Sequence, residues 1–237
     1  MNMHGLGNTR SAHRSDHLLH TPDTFVRAPL PGMRNATAIV HIGPAAGAGF
    51  TQYTVEFDPG GILEPTAAQR FVHVLEGALG DLRAGGYAYV PAGTDAALLA
   101  AGRTVATVIE KPYLALAGAP TPDPFTGHES DAPAQPLMGD ASIEVRTLVP
   151  PGPAYDFAVN LMIFQPGAAL PMVEIHVMEH GLLMLAGGGI YRLGDHWYPV
   201  AAGDFIWMAP YCPQWFGAIG KIPARYLIYK DWNRHPL

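Results

Sequence analysis

The stretch EIHVMEHGLLMLAG, residues 174–187, decides the fold because a related copy of it lies earlier in the chain. The earlier copy, EPTAAQRFVHVLEG at residues 64–77, matches it at a constant offset of 110 residues. Two further pairs of segments match in the same order: FTQYTVEFDPG (50–60) with FAVNLMIFQPG (157–167), and YVPAGTDAALLAAG (89–102) with MAPYCPQWFGAIG (208–220). Three matched blocks in one order indicate a tandem duplication.

Each copy consists of short β-branched and aromatic runs, and the chain's 27 glycines and 23 prolines punctuate them. This pattern is typical of a sandwich or barrel, and helical periodicity is nearly absent. We therefore predict an all-β fold of two tandem antiparallel barrels. The expected segments are an N-terminal arm (1–35), a first barrel (36–118), a linker (119–142) and a second barrel (143–237).

Composition limits the possible partners and the compartment. At 237 residues and 49% hydrophobic, the chain is long enough to bury a substantial core. With 14 Lys and Arg residues and a net charge of −6, it offers no basic patch, so we expect no nucleic-acid partner. Cys212 is the only cysteine, which excludes an intrachain disulfide and fits a reducing cytoplasm. No segment resembles a signal peptide or a membrane span, so we expect a cytoplasmic protein without a membrane partner.

Residues 174–180 space one carboxylate and two imidazoles as Glu-x-His-x3-His. In an extended strand Glu174, His176 and His180 would share one face and point into a common cavity. Gln214, a lone amide among prolines and aromatics, is the candidate for a fourth ligand. Mixed nitrogen and oxygen ligation without thiolate suits Mn, Fe, Co, Ni or Zn, so the pattern alone does not identify the metal.

The first copy of the repeat lacks this ligand pattern. Glu64 stands at the position of Glu174, but Thr66 and Arg70 replace the two histidines. A guanidinium beside a single carboxylate would repel a divalent cation. We therefore predict a metal site in the second copy only, with about one ion per chain.

Two resemblances follow from these motifs. The segment from Gly203 and Asp204 to Pro210, placed after the ligand cluster, resembles a cupin, and two copies resemble a bicupin. Further segments span nearly the whole chain: EIHVMEHG (174–181), the run from Tyr191 to Ala218, RYLIYKDWNRHP (225–236), TRS at Thr9, DH at Asp16 and PLPG at Pro29. Together they resemble the (S)-ureidoglycine aminohydrolases.

The resemblance implies two jelly-roll cupin barrels and hydrolysis of (S)-ureidoglycine to (S)-ureidoglycolate and ammonia in purine (allantoin) catabolism. It implies one Mn2+ per chain, in the C-terminal cupin, and a small-molecule ureide substrate. Lys230 and Glu174 become the candidate catalytic residues. The implied metal ligands are Glu174, His176, His180 and Gln214, and the implied substrate-binding residues are Tyr191, Tyr226 and Lys230.

The sequence leaves open the role of Lys230 and the choice between three functions. Tyr226 and Lys230 share strand parity, and Lys230 could pair with the substrate carboxylate or transfer protons if its pKa is lowered. The alternative functions are another metal-dependent cupin enzyme, such as a dioxygenase, and a noncatalytic bicupin that binds a small acid.

The remaining expectations concern residues outside the motif. Glu179 has the opposite parity from the ligands, so we expect an exposed charge. Cys212 is expected to be a small buried side chain without a redox role. The histidines at positions 4, 13, 17 and 20 are expected to belong to an ordinary polar tail. Exposed strand edges and aromatic-rich segments need cover, so we expect a homo-oligomer.

Overall fold

A computed structural model describes residues 8–231, which divide into two compact units. The N-terminal unit contains residues 26–133 and 148–158, and the C-terminal unit contains residues 8–25, 134–147 and 159–231. Short 3-10 turns lie at Pro22–Thr24 and Pro44–Ala46, and the described range contains no α-helix. The strands are β1 (Ala12–His13), β2 (His17–His20), β3 (Met33–Ile42), β4 (Thr51–Leu63), β5 (Gln69–Glu76), β6 (Ala78–Leu79), β7 (Leu82–Arg83), β8 (Gly86–Val90), β9 (Leu98–Ala100), β10 (Thr104–Lys111), β11 (Phe125–His128), β12 (Ala134–Leu137), β13 (Asp140–Thr147), β14 (Ala158–Phe164), β15 (His180–Ala186), β16 (Gly188–Leu193), β17 (His196–Ala201), β18 (Phe205–Met208), β19 (Gln214–Ala218) and β20 (Ala224–Lys230).

The prediction of an all-β fold is confirmed. Strands pair antiparallel throughout the two main sheets, and short runs rich in Val, Ile, Tyr and Phe form them, as expected for pleated, half-buried surfaces. Among residues 8–231 no helix is long and apolar enough to cross a membrane.

The N-terminal unit is built on one large sheet with the strand order β11-β8-β5-β10-β4-β3, and β9 pairs with β4. Strands β6 and β7 form a separate hairpin. Alternate side chains of β4, β5 and β10 point to one face, where Tyr53, Val55, Val72, Val74 and Val108 form the centre of a buried apolar cluster. This two-residue period is what a strand buried on that face requires.

The C-terminal unit contains an eight-stranded sheet, β1-β2-β18-β15-β20-β14-β13-β12, and a three-stranded sheet, β17-β16-β19. One buried cluster takes Met162 and Ile228 from the large sheet and Tyr191 and Phe216 from the small one. The two sheets therefore share a single core, as in a jelly roll.

The units do not follow the segments expected from the repeat. Strand β2 of the expected arm pairs with β18, where Leu19 faces Ile206, so it completes the sheet of the C-terminal unit. The expected linker contributes β11 to one sheet and β12 to the other. Both segments cover strand edges that would otherwise present unpaired backbone groups.

The expectation of a polar N-terminal tail is wrong within the described residues. His17 and Leu19 are both fully buried on β2. Burial alternates along residues 17–20, as in a strand with one face buried, and His17 lies on the buried face. His4 lies outside the described residues.

Candidate metal centre and substrate cavity

All seven residues predicted for the metal and substrate sites line one cavity of about 190 Å³ in the C-terminal unit. They come from the 174–180 segment and from β15, β16, β19 and β20. Apolar side chains complete the lining. A small cavity lined by apolar groups and a few polar ones suits a small polar ligand. The seven residues are Glu174, His176, His180, Tyr191, Gln214, Tyr226 and Lys230, and the apolar lining includes Val145, Met162, Leu170 and Ile228.

The backbone holds two of the candidate ligands side by side. Glu174 and Gln214 form an isolated antiparallel bridge, with N to O distances of 2.8 and 2.9 Å in the two directions. The backbone N–H of Tyr211 donates to the His176 carbonyl at 2.6 Å. Contacts to the 208–214 segment therefore place the 174–178 segment at the cavity.

The expectation that Glu174 to His180 forms one extended strand is wrong. Strand β15 begins only at His180, and Glu174 makes just the single bridge to Gln214. The segment instead bonds through Glu174 to Gln214, the first residue of β19, and through the His176 carbonyl to Tyr211 in the turn before that strand. Glu174 and His176 face the cavity because of this loop path, and strand parity is not the cause.

The carboxylate and the two imidazoles lie close together. His176 Nε2 is 3.2 Å from Glu174 Oε2, and the ring centroids of His176 and His180 are 5.2 Å apart. Burial, with a smaller contribution from the charge of Lys230, lowers the pKa of His180 well below its ordinary value. His180 is therefore neutral near pH 7, which is the form that ligates a metal.

The donor set fits a divalent metal ion. It combines two imidazoles, one carboxylate and one amide oxygen, with no thiolate. Gln214 is buried, and its Oε1 accepts a hydrogen bond from the Tyr191 hydroxyl at 3.3 Å. Tyr191 therefore contacts a candidate ligand directly, in addition to lining the cavity.

Lys230 supplies a cation next to these ligands. The register of β15 and β20 pairs His180 with Lys230 and Met184 with Tyr226. Burial lowers the pKa of Lys230, and the carboxylate of Glu174 opposes this shift. Burial raises the pKa of Tyr226, so its hydroxyl stays protonated and can donate a hydrogen bond.

The corresponding region of the N-terminal unit contains ion pairs. Arg70 is 3% exposed and its Nη2 lies 2.7 Å from Glu110 Oε1. Glu64, the counterpart of Glu174, pairs with Arg34 at 2.6 Å. Asp95, the counterpart of Gln214, is exposed. The first copy therefore has a cation where the second has an imidazole.

The expectation of an exposed Glu179 is wrong. Its side chain is 5% exposed, and the Trp207 indole N–H donates to Glu179 Oε2 at 3.0 Å. Glu179 does point away from the cavity, as its parity predicts, but that face of the sheet is also buried. The partner lies 28 residues away in sequence, so no local pattern indicates it. Cys212 is buried, as predicted.

A second group of potential ligands, which the sequence pattern did not indicate, comprises Asp16, His17 and Cys212. Both ring nitrogens of His17 already have partners, Asp16 Oδ1 at 2.9 Å and the Tyr198 hydroxyl at 2.9 Å. Burial raises the pKa of Cys212 to about 11, so its thiol stays protonated near pH 7. This group is therefore a hydrogen-bonded contact between β2 and the turn before β19, and it is a poor metal site.

Comparisons with known proteins agree with the geometry. A cupin-domain family model matches residues 160–229. The chain is 41% identical to a probable (S)-ureidoglycine aminohydrolase of Oryza sativa subsp. japonica, over 98% of this chain and 78% of the relative. It is 42% identical to the (S)-ureidoglycine aminohydrolase of Arabidopsis thaliana, over 98% of this chain and 80% of the relative.

Solved structures show the same fold. A putative glyoxylate-induced protein from Pseudomonas aeruginosa superposes with a TM-score of 0.86 at 31% identity, over 97% of this chain and 93% of that one. Oxalate decarboxylase of Bacillus subtilis, a protein with Mn(II) centres, superposes with a TM-score of 0.69 at 11% identity, over 95% of this chain and 80% of that one. At that identity the likeness concerns the fold alone.

Proposed function

The chain belongs to the (S)-ureidoglycine aminohydrolase family, and on that premise we propose that it hydrolyses (S)-ureidoglycine to (S)-ureidoglycolate and ammonia in purine catabolism. In this reaction an oxygen of water bonds to the substrate carbon, the bond from that carbon to the amine breaks, and the amine leaves as ammonia. The observation that carries the proposal is that all seven predicted site residues line one small cavity.

We propose that one Mn2+ per chain is held in the C-terminal unit by Glu174, His176, His180 and Gln214. The donor set supports this assignment, because neutral imidazoles, an amide and a single carboxylate leave the bound ion with residual positive charge. When bound, the ion supplies Lewis-acid chemistry and orients the small acid. Glu174 takes part as the only anionic member of the set.

The protein's own side chains bind and orient the substrate in this proposal. Lys230 pairs with the substrate carboxylate, because it is the cation that lines the cavity and Glu174 favours its charged form. The protonated hydroxyl of Tyr226 donates to the ureido group. The apolar lining residues Met162, Leu170 and Ile228 limit the water around the reacting carbon.

The test is ammonia release from freshly generated (S)-ureidoglycine, which also decomposes spontaneously. The metal-loaded protein should accelerate release well above the rate of the same solution without protein. Protein stripped with a chelator should fall to the spontaneous rate, and added Mn2+ should restore activity. Metal-loaded protein that leaves the spontaneous rate unchanged would refute the proposed function.

We also propose that the chain forms a homo-oligomer. Apolar side chains next to the cavity are exposed, including Met138, Met172, Ile175 and Tyr211, with Ile175 61% exposed. Such side chains on a soluble protein commonly mark contact surfaces. Light scattering at micromolar concentration should give a mass above that of one chain, and a monomeric mass would contradict the proposal.

A further inference from the structure

We infer that Asn160 is a positioning residue that holds the Lys230 ammonium in the cavity without neutralising it. The inference rests on the proposed function, since it concerns how the substrate carboxylate is bound. Asn160 is not among the residues that line the cavity, so it would act through Lys230.

The geometry fixes both ends of the Asn160 amide. Asn160 lies on β14 and is 8% exposed. With its amide oriented to satisfy its neighbours, the oxygen accepts from Lys230 Nζ at 3.1 Å and the nitrogen donates to the Val159 carbonyl at 3.1 Å. An amide held at both ends restricts a flexible four-carbon lysine side chain to one position, so less ordering is needed when a substrate binds.

The internal repeat gives an independent reason to assign this role. Tyr53 of β4 is the fourth residue of the first-copy block that begins at Phe50, as Asn160 is in the block that begins at Phe157. The Tyr53 hydroxyl donates to Glu110 Oε1 at 3.1 Å. Glu110 faces Arg70 in the register of its unit, as Lys230 faces His180.

Tyr53 and Asn160 thus hold equivalent strand positions, and each contacts the equivalent residue of the last strand in its copy. The roles of hydrogen-bond donor and acceptor are exchanged between the two contacts. A hydroxyl donor meets an anion in the first copy, and an amide acceptor meets a cation in the second. Position 160 is therefore matched to the charge of the residue that it holds.

The important property of Asn160 is that its hydrogen-bond acceptor carries no charge. A carboxylate at position 160 would form an ion pair with Lys230 and compete with the carboxylate of the substrate. A leucine of similar volume would remove the acceptor and leave the ammonium free to change position. Asn160→Asp and Asn160→Leu therefore test charge and hydrogen bonding separately.

The experiment is a double-mutant cycle between Asn160 and Lys230. Steady-state kinetics would give kcat and KM for (S)-ureidoglycine, and calorimetry would give the affinity for the product (S)-ureidoglycolate, with metal content and melting temperature recorded for each variant. We expect Asn160→Asp to raise KM and weaken product binding by about 10-fold or more with metal content unchanged, and Asn160→Leu to lower kcat/KM by a similar factor. In the Lys230→Ala background neither substitution should cause a further loss.

Tyr53→Phe is the matched control, because it removes the equivalent hydrogen bond from the N-terminal unit and should leave kcat/KM unchanged. If Asn160→Leu fails to fold, Asn160→Asp and Asn160→Ser complete the cycle. The inference would be overturned if the Asn160 substitutions lowered kcat/KM equally with and without Lys230, or if Asn160→Asp left KM and product affinity unchanged. In either case an active wild type would still uphold the proposed function. A wild type that does not accelerate ammonia release would overturn the proposed function first, and the inference with it.

Discussion

Arg70 Nη2 lies 2.7 Å from Glu110 Oε1, at the two repeat positions that His180 and Lys230 take in the C-terminal unit. The duplication has kept the strand register and exchanged the charges. In the first copy the buried cation meets a carboxylate from its own chain. In the second, Lys230 lies opposite a neutral imidazole and remains available for an anion from solution.

Replacing Arg70 should destabilise the N-terminal unit without affecting turnover. Arg70→Ala leaves the partly buried carboxylate of Glu110 without its cation, and removing one partner of a buried ion pair costs about 3–5 kcal/mol. Because Glu110 is 22% exposed, we expect a loss toward the lower end of that range. Urea unfolding would measure it. A change below about 0.5 kcal/mol, the usual size for a surface substitution, would show that the ion pair is not structural.

Substitutions of His176 and Lys230 should distinguish metal binding from catalysis. His176→Ala removes a proposed ligand, so metal content and ammonia release should both fall, whereas Lys230→Ala should keep the ion and lose most turnover. Elemental analysis of each purified variant, beside about one equivalent in the wild type, provides the measurement. Two equivalents in the wild type would place a second ion elsewhere, and full activity in Lys230→Ala would remove Lys230 from the substrate site.

The sequence predicts the fold and the set of cavity residues well, because both depend on patterns that are visible locally. Short β-branched and aromatic runs and the repeat of whole blocks define the strands, and metal-ligand chemistry restricts the candidates to few residue types. The path of the 174–180 segment was not predictable in this way. Its bridge joins Glu174 to Gln214, the first residue of β19 and 40 residues away, and spacing alone does not reveal that these two backbones meet.

Glu179 and His17 illustrate the same limit for buried polar groups. A charged residue at an outward-facing position is normally exposed, whereas Glu179 is buried and accepts a hydrogen bond from Trp207. For His17, the order His-Leu-Leu-His shows no polar–apolar alternation, so no local pattern indicated a half-buried strand. The sequence could not show that this strand pairs with β18, because the pairing joins residues far apart in the chain.

Acid should destabilise the C-terminal unit through His17, which is buried, and His20, which is partly buried. Burial lowers the pKa of His17, against the opposing effect of Asp16, and burial also lowers the pKa of His20. The unfolded chain therefore binds protons more readily than the folded one, so the free energy of unfolding should fall as pH drops below the ordinary histidine value of 6.5.

Urea unfolding of the metal-free protein at about pH 7.5 and about pH 5.5 would measure this dependence. Metal-free protein is required because proposed ligands also titrate. His17→Gln, which removes one titrating group, should show a shallower loss between the two conditions than the wild type. Equal pH dependence in the two proteins would exclude His17 as a contributor.

We expect the Tyr191 hydroxyl to orient the proposed metal ligand Gln214, and not to bind the substrate. Its hydroxyl donates to Gln214 Oε1 at 3.3 Å, and its ring is almost fully buried between β19 and the core. Because groups that orient a ligand commonly contribute about 10- to 100-fold to metal affinity, Tyr191→Phe should weaken Mn2+ binding by roughly that factor. Titration of the metal-free variant with Mn2+ measures the affinity directly, and at saturating Mn2+ the variant should recover most of its kcat.

Tyr226→Phe is the comparison, because Tyr226 is proposed to contact the substrate. Loss of its hydroxyl should raise KM while Mn2+ affinity stays unchanged. A Tyr191→Phe variant with wild-type Mn2+ affinity and a raised KM would instead assign its hydroxyl to the substrate, as the family resemblance alone implies.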